Sequence, residues 1–240
     1  MQKILGYMRK AIQEYKLIQN GDRICVGVSG GKDSVVMLYG LHLLRRFINI
    51  DYTITGITLD PGFSGMETDY SPLADFCHDK GIEYHVIRTH IAEIVFDVRK
   101  ETNPCSLCAR MRRGALHDAT VSLGCNKIAL GHNYDDAVET FIMNLFTEGR
   151  IGCFSPISYL ERKNIHMIRP LVYAPEKDVK RAAIKNELPI IVSNCPANGH
   201  TNRQRTKEFL AEADKTYDGI KDRIFGAMQR FGLDGWKPEK

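Results

Sequence analysis

Apolar residues recur along this chain in two rhythms, and the switches between them mark out short strands and helices. Ile4, Leu5, Met8, Ile12, Tyr15 and Ile18 stand among charges at helical spacing, ahead of the turn signal Asn20-Gly21. Residues 24–28 form an apolar, β-branched run that predicts a buried strand, and Val35, Val36, Leu38, Leu41, Leu44 and Phe47 return to helical spacing. Residues 52–59 predict a second strand ending at Asp60-Pro61-Gly62, a turn signal. A helix over 71–80, a strand over 83–88 and a less regular helical stretch over 91–101 follow, up to a break at Pro104. Beyond it come a helix over 106–123, a strand over 127–130 and a helix over 135–146. Residues 147–164, with Gly149, Gly152 and Pro156, read as a long loop. Short strands are expected at 165–168 and 189–192, with a helix over 175–186 between them that carries proline at its start. From Arg203 onward the chain is polar and helical and ends in an exposed tail. Strands alternating with helices predict an α/β fold, a Rossmann-like parallel sheet of about five strands with helices on both faces. No repeat or linker interrupts it. Residues 1–240 read as one domain, with an N-terminal helix over 1–20 and a C-terminal helical extension over 203–240.

The join between the first strand and its helix carries the first chemistry. Ser29-Gly30-Gly31-Lys32-Asp33-Ser34 is a tight Gly-rich turn, where the backbone can approach a ligand and the helix start offers N–H groups to phosphate. It is not a Walker A loop, because the first glycine of that motif would fall on Val26 and the residue after Lys32 is Asp33. The spacing of Gly27, Gly30 and Gly31 also differs from the dinucleotide fingerprint. The six residues resemble the pyrophosphate loop of the N-type ATP pyrophosphatases, which cleave ATP between the α and β phosphates and adenylate a carbonyl oxygen.

Composition narrows the setting. Hydrophobic residues make up 43% of the chain, enough for a core, and no apolar run approaches the length of a membrane span. The N-terminus lacks a signal-peptide core, so a cytoplasmic protein without a membrane partner is expected. The net charge of +4 is too mild to name a partner. Seven cysteines, an odd count, argue against a disulfide framework and turn attention to metal or sulfur chemistry.

Cys105-Ser106-Leu107-Cys108 places two thiols one turn apart at a helix start, where the helix dipole lowers thiol pKa. Two thiolates cannot complete a tetrahedral zinc site or a cubane cluster. Cys195, just past the strand expected at 189–192, is the best third ligand by position, and Cys153 in the long loop is its rival. Cys25, Cys77 and Cys125 fit strand or helix packing. A structural zinc site using Cys105, Cys108, Cys195 and His200, and a redox or persulfide cysteine pair, remain open from the residues alone.

The chain further carries Arg-Met-Arg-Arg-Gly at 110–114, Gly-His-Asn-Tyr-Asp-Asp at 131–136, Ile-Arg-Pro-Leu at 168–171 and Asn194-Cys195. Together with the loop and the cysteine pair, these resemble the tRNA 2-thiolation enzymes, and most closely their 2-thiocytidine synthetase branch, over about residues 3–207. The additional Cys-x-x-Cys zinc fingers of the 2-thiouridine branch are missing from the sequence. The resemblance implies the fold of the adenine nucleotide alpha hydrolases and a 4Fe-4S cluster held by Cys105, Cys108 and Cys195, with one iron lacking a protein ligand. It implies ATP contacts from Ser29, Gly30, Gly31, Lys32, Asp33, Ser34, Asp60, Gly131, Asp135 and Arg169. Asp33 is the expected Mg2+ ligand, since magnesium neutralises phosphate charge. Asp136 is the candidate catalytic carboxylate and Arg112 a candidate catalytic cation, whereas Asp135 also fits a plain helix cap. The expected partners are tRNA, a sulfur donor such as a cysteine desulfurase or inorganic sulfide, and a second copy of the chain in a homodimer. Scattered cations, among them Arg45, Arg46, Lys177, Lys180, Arg181, Arg203, Arg205 and Lys207, are compatible with an RNA backbone. The expected reaction adenylates the C2 oxygen of a pyrimidine, a cytidine by best match, and replaces it with sulfur. The alternatives are an adenylating sulfurtransferase or amide synthetase with another acceptor, and a nucleotide-binding iron-sulfur sensor without turnover.

Overall fold

The computed structural model describes residues 1–63, 67–99, 104–191 and 202–238, with the side chain of Cys105 outside that set. Six strands form one sheet in the order β3 (Glu83–Arg88), β2 (Tyr52–Asp60), β1 (Asp22–Gly27), β4 (Lys127–Ala129), β6 (Ile165–Ile168), β5 (Ile157–Leu160). All neighbours are parallel except β5, which pairs antiparallel with β6 at the edge. The strand order turns back on itself at β1, and the crevice above its carboxyl end is where open α/β sheets bind ligands.

Both faces of the sheet are covered, as parallel sheets require. The helices are α1 (Gln2–Glu14), α2 (Lys32–Leu44), α3 (Ser71–Lys80), α4 (Pro104–Ser122), α5 (Tyr134–Thr147), α6 (Glu176–Lys185), α7 (Asn202–Thr216) and α8 (Ile220–Phe231). β1 alternates its side chains between two layers. Ile24 and Val26 enter the larger core with Leu38 and Leu41 of α2 and Ile4, Met8 and Ile12 of α1. Cys25 faces the other way, joining Ile57, Leu59 and Cys125 against Leu116 and Ala119 of α4. Each such aliphatic side chain contributes about 1.5–3 kcal/mol when fully buried. α4 therefore covers the β2–β4 side, while α1, α2, α5 and α6 enclose the opposite face.

Several elements differ from the pattern expected from sequence. The stretch over 147–164 contains β5, whose four residues were hidden by Gly152 and Pro156 on one side and a 3-10 turn at Glu161–Lys163 on the other. Residues 189–191 form no strand; Ile191 instead donates its N–H to the carbonyl of Gly30 at 2.9 Å. Pro104 opens α4 rather than interrupting a pattern, a position where its missing N–H costs nothing. The irregular stretch after β3 is a π-helical turn, Glu93–Val98. The C-terminal segment is not an exposed tail, because Trp236 is fully buried among Tyr15, Phe154 and Phe225.

Candidate active site

The loop at residues 29–34 is held from below and left open above. Val28 donates its N–H to Ile57 and accepts from Thr58 Oγ1, both at 2.8 Å. The Ser34 hydroxyl accepts the Ser29 N–H at 3.1 Å and donates to the Gly31 carbonyl at 2.9 Å, closing the turn on itself. Gly30 has φ +83°, and a Cβ there would come within 2.7 Å of Ile191 Cβ. Only glycine meets both conditions. Gly31 caps α2 without a side-chain hydrogen bond, so the first N–H groups of that helix remain turned to the crevice. Gly131 closes in from the next strand end; a Cβ on it would lie 3.0 Å from the Ser34 nitrogen.

A cavity of about 420 Å³ opens between this loop and α4. Ser29, Asp33, Ser34, Gly131 and His132 form one wall, Ile57 and Leu59 the floor, and Arg112, Arg113, Leu116 and His117 the wall opposite. That volume suits a nucleoside-sized ligand. Positions 105, 108, 112 and 116 repeat at helical spacing, so the first turn of α4 and the arginine of the cavity wall share one helix face. His117 Nε2 is buried without a hydrogen-bond partner among the described residues. His132 takes the Arg169 Nε–H on its Nδ1 at 3.3 Å and packs on Phe154. Burial, reinforced by Arg169, Arg203 and Arg113, pushes His132 down to about 3, so it lines the cavity as a neutral ring.

On the other side of the loop, α5, α6 and α7 enclose a smaller cavity of about 190 Å³, and Asp33 belongs to both. Asn133 starts α5 with a capping box: its side chain accepts the Asp136 N–H at 3.0 Å, and Asp136 accepts the Asn133 N–H at 2.9 Å. The Asn133 amide also donates to Asp33 at 2.9 Å, linking α5 to the phosphate loop. The second Asp136 oxygen pairs with Arg203 of α7 at 2.5 Å. Burial pushes the Asp136 carboxyl up, and the Asn133 N–H and Arg203 oppose that. Lys32 bridges Asp33 at 2.9 Å and Glu176 at 3.0 Å, and Glu176 also holds Lys207 at 2.5 Å. Burial raises Glu176, but Lys207 and Lys32 outweigh it and hold that carboxyl at about 2.

The expected site residues thus divide. Ser29, Asp33, Ser34, Gly131 and Arg112 meet in the larger cavity, with Gly30 and Gly31 in the turn that forms its wall. Lys32, Asp135 and Asp136 face the smaller cavity. Asp135 stands near the cap, in the first turn of α5, while Asn133 is the cap itself; Asp135 accepts the Glu176 N–H at 2.7 Å and Lys221 at 2.6 Å. Asp60 ends β2 and accepts the Gly62 N–H at 3.0 Å, outside the residues that line either cavity. Arg169 is buried behind His132, bonded to the Ser155 carbonyl and Met167 sulfur, and supports the cavity wall without lining it. Cys105 and Cys108 stand in the first turn of α4, and Cys108 is half-buried. Cys195 and His200 lie outside the described residues. Cys153 is corrected from loop thiol to core residue: it is buried, contacts the Ala137 carbonyl, and burial pushes it up to about 12. Asn133, Glu139, Glu176 and the Arg203–Asp136 pair were not singled out from sequence. Asn-x-x-Asp before α5 was the one local signal, a variant of the capping box.

A family model described as a PP-loop domain matches residues 4–212. The chain is 35% identical to a tRNA-cytidine(32) 2-sulfurtransferase of Geobacter sulfurreducens and 38% identical to one of Syntrophotalea carbinolica, each over 94% of this chain and 88% of the relative. Its fold superposes on the U34-tRNA thiolase NcsA from Methanococcus maripaludis, solved with its 4Fe-4S cluster, with a TM-score of 0.79 at 27% identity, covering 96% of this chain and 78% of that one. With the domain match and these relatives each extending over most of its length, the chain belongs to the PP-loop family, on its branch of tRNA 2-thiolation enzymes.

Proposed function

We propose that this chain is an ATP- and iron-sulfur-dependent tRNA sulfurtransferase that converts a cytidine of the anticodon loop to 2-thiocytidine. The observation that carries this reading is the shared cavity, where the phosphate loop and the α4 face bearing Arg112 confront each other. The relatives named as cytidine sulfurtransferases support the choice of base. The same resemblance supports a homodimer fed by a cysteine desulfurase or by inorganic sulfide.

The residues described fit the phosphates of ATP. Gly30 and Gly131 leave a cradle that a Cβ would fill, beside a helix start with no side-chain cap, and phosphate belongs there. Among the cysteines, Cys25 and Cys153 are buried thiols pushed up to about 12 and Cys77 one pushed up to about 11, while Cys125 is buried and raised as well. By the resemblance, Cys105, Cys108 and Cys195 would hold a cluster, and that cluster would supply the incoming sulfur when bound; Cys108 stands half-buried on α4. Magnesium is usually held by phosphates, water and one or two carboxylates, and the position of Asp33 on both cavities supports reading it as that carboxylate.

In the reaction, the C2 oxygen of the base attacks the α-phosphorus of ATP and pyrophosphate leaves. Sulfide-level sulfur, as hydrosulfide, then adds at C2 and gives up its proton, the C2–O bond breaks, and AMP leaves with that oxygen. Lys32, now shared between Asp33 and Glu176, turns its ammonium to the phosphates. Arg112 compensates the charge developing between the loop and the cysteine helix. Asp136 is fixed by Asn133 and Arg203 and orients the reacting group.

Deleting the gene should remove 2-thiocytidine from tRNA, read by nucleoside mass spectrometry; unchanged content would dismiss the cytidine assignment. AMP and pyrophosphate should appear only when tRNA is added. Their release with a small-molecule acceptor alone would indicate an amide synthetase or another sulfurtransferase, and their absence a sensor.

A further inference from the structure

α6 begins at the candidate site and runs away from it. Its first residue, Glu176, binds Lys32 at 3.0 Å, and its N–H is held by Asp135. Val179, Ala182 and Ala183 are buried against the core. Both carboxylates of the helix are turned to partners, Glu176 to Lys32 and Lys207, and the buried Asp178 to Lys3 and Tyr7. The outward face is left with Lys177, Lys180, Arg181 and Lys185, which surround an exposed Ile184. Arg181 reaches Asp178 only at 3.9 Å, and among the described residues Lys177, Lys180 and Lys185 make no ion pair.

This is an unusual surface for a plain solvated helix. Stable exposed helices pair acids with bases at i,i+3 and i,i+4, each pair worth about 0.2–0.5 kcal/mol, and like charges at those spacings cost as much. Here Lys177–Lys180, Lys177–Arg181 and Arg181–Lys185 are all like-charge neighbours. The helix carries that cost along a stripe of eight residue steps, about 12 Å at 1.5 Å per residue. One strand of a nucleic-acid helix presents several phosphates over that length.

We propose that the outer face of α6 is the surface that grips the phosphate backbone of the substrate RNA, so that the strand leaving the cavity is held along Lys177, Lys180, Arg181 and Lys185. This rests on the reading that the substrate is tRNA. The stripe starts at Lys177, one residue past the Glu176 that pairs with Lys32 and lines the smaller cavity, so its cations run outward from the rim of the candidate site.

The test is tRNA binding by the full-length, cluster-loaded protein without ATP, measured by fluorescence anisotropy between 50 and 200 mM salt. The triple variant Lys177→Gln, Lys180→Gln, Lys185→Gln removes three cations and relieves like-charge crowding, so the helix should stay folded. Its affinity should fall at least tenfold at low salt, and the slope of log affinity against log salt should flatten by about 2 to 3, as expected for three lost phosphate contacts. The visible absorbance of the cluster and the affinity for ATP should be unchanged. Wild-type affinity and slope in the triple variant would overturn the proposal, and would point to an acidic protein as the occupant of the stripe. A wild-type protein that binds tRNA through α6 but makes no 2-thiocytidine would keep this surface while removing the cytidine reading. A triple variant that thiolates and binds as wild type would remove the surface alone.

Discussion

Glu139 lies one turn along α5 from Asp136, buried, with its Oε1 lacking any hydrogen-bond partner among the described residues. Burial pushes its carboxyl up to about 7, the nearby Asp136 adds to that, and Arg203 and Lys207 only partly oppose it. The sign of its effect on stability follows. In the unfolded chain Glu139 titrates near 4.5, so between about pH 4.5 and 7 the folded protein holds a proton that the unfolded chain has released. Stability therefore falls as pH rises through that window, and the full loss remains above it. Glu139→Gln keeps the neutral form throughout. Its urea midpoint should decline less than that of the wild type from pH 5 to pH 8, with an advantage on the order of 2 kcal/mol at pH 8. Parallel curves for the two proteins would show that Glu139 is not held protonated. Nothing local in the sequence singles out this residue. It occupies an ordinary position in an amphipathic helix, and its peculiarity comes from burial in the folded protein beside Asp136, which Arg203 and Lys207 of α7, more than sixty residues away, only partly offset.

At the scale of an element, the start of α5 joins cap, loop and the proposed catalytic carboxylate, Asp136. Asn133 has two roles that substitutions can separate: its oxygen caps Asp136 N–H, and its amide holds Asp33. Asn133→Ala removes both, and should cost about 1–2 kcal/mol of stability with a large loss of AMP release. Asn133→Asp restores a cap but sets a carboxylate against Asp33, so stability should recover while AMP release does not. Denaturation midpoints and AMP assays check the two halves, and a fully active Asp variant would show that the bond to Asp33 is dispensable. The elements that build this region were legible because each carried its own signal. The β-branched run, the glycines and the helical rhythm after Ser34 specify a strand–loop–helix unit without help from elsewhere. The opposite holds for residues 189–191. Pro189, Ile190 and Ile191 have strand-like composition, yet the neighbour available to them is the Gly30 carbonyl rather than a strand edge, so one hydrogen bond forms in place of a ladder. β5 failed the other way, since four residues between a glycine-rich approach and a tight turn give too short an alternation to read.

The whole molecule is closed by contacts between its two ends, which no periodicity reveals. Trp236 stands alone in a polar stretch, and its burial depends on Tyr15, Phe154 and Phe225, brought to it from three other parts of the chain. Its carbonyl accepts the Tyr15 hydroxyl at 3.0 Å, and its indole N–H donates to the Phe154 carbonyl at 2.7 Å. Phe154 in turn packs on His132 and under the Arg169 guanidinium, so the C-terminal segment supports a wall of the candidate site from behind. Trp236→Ala should cost about 3–5 kcal/mol, as expected for a large side chain removed from a packed core. Trp236→Phe should cost less, keeping most of the apolar contact and losing the indole hydrogen bond. Circular dichroism during urea unfolding measures both. The chain has one tryptophan, so fluorescence of the unmodified protein reports this contact specifically. If the end of the chain is part of the cooperative core, the emission should shift to the red at the same urea concentration at which helical ellipticity is lost. A fluorescence transition at distinctly lower urea would mean that the C-terminal segment detaches first, and the wall behind His132 would then open before the sheet unfolds.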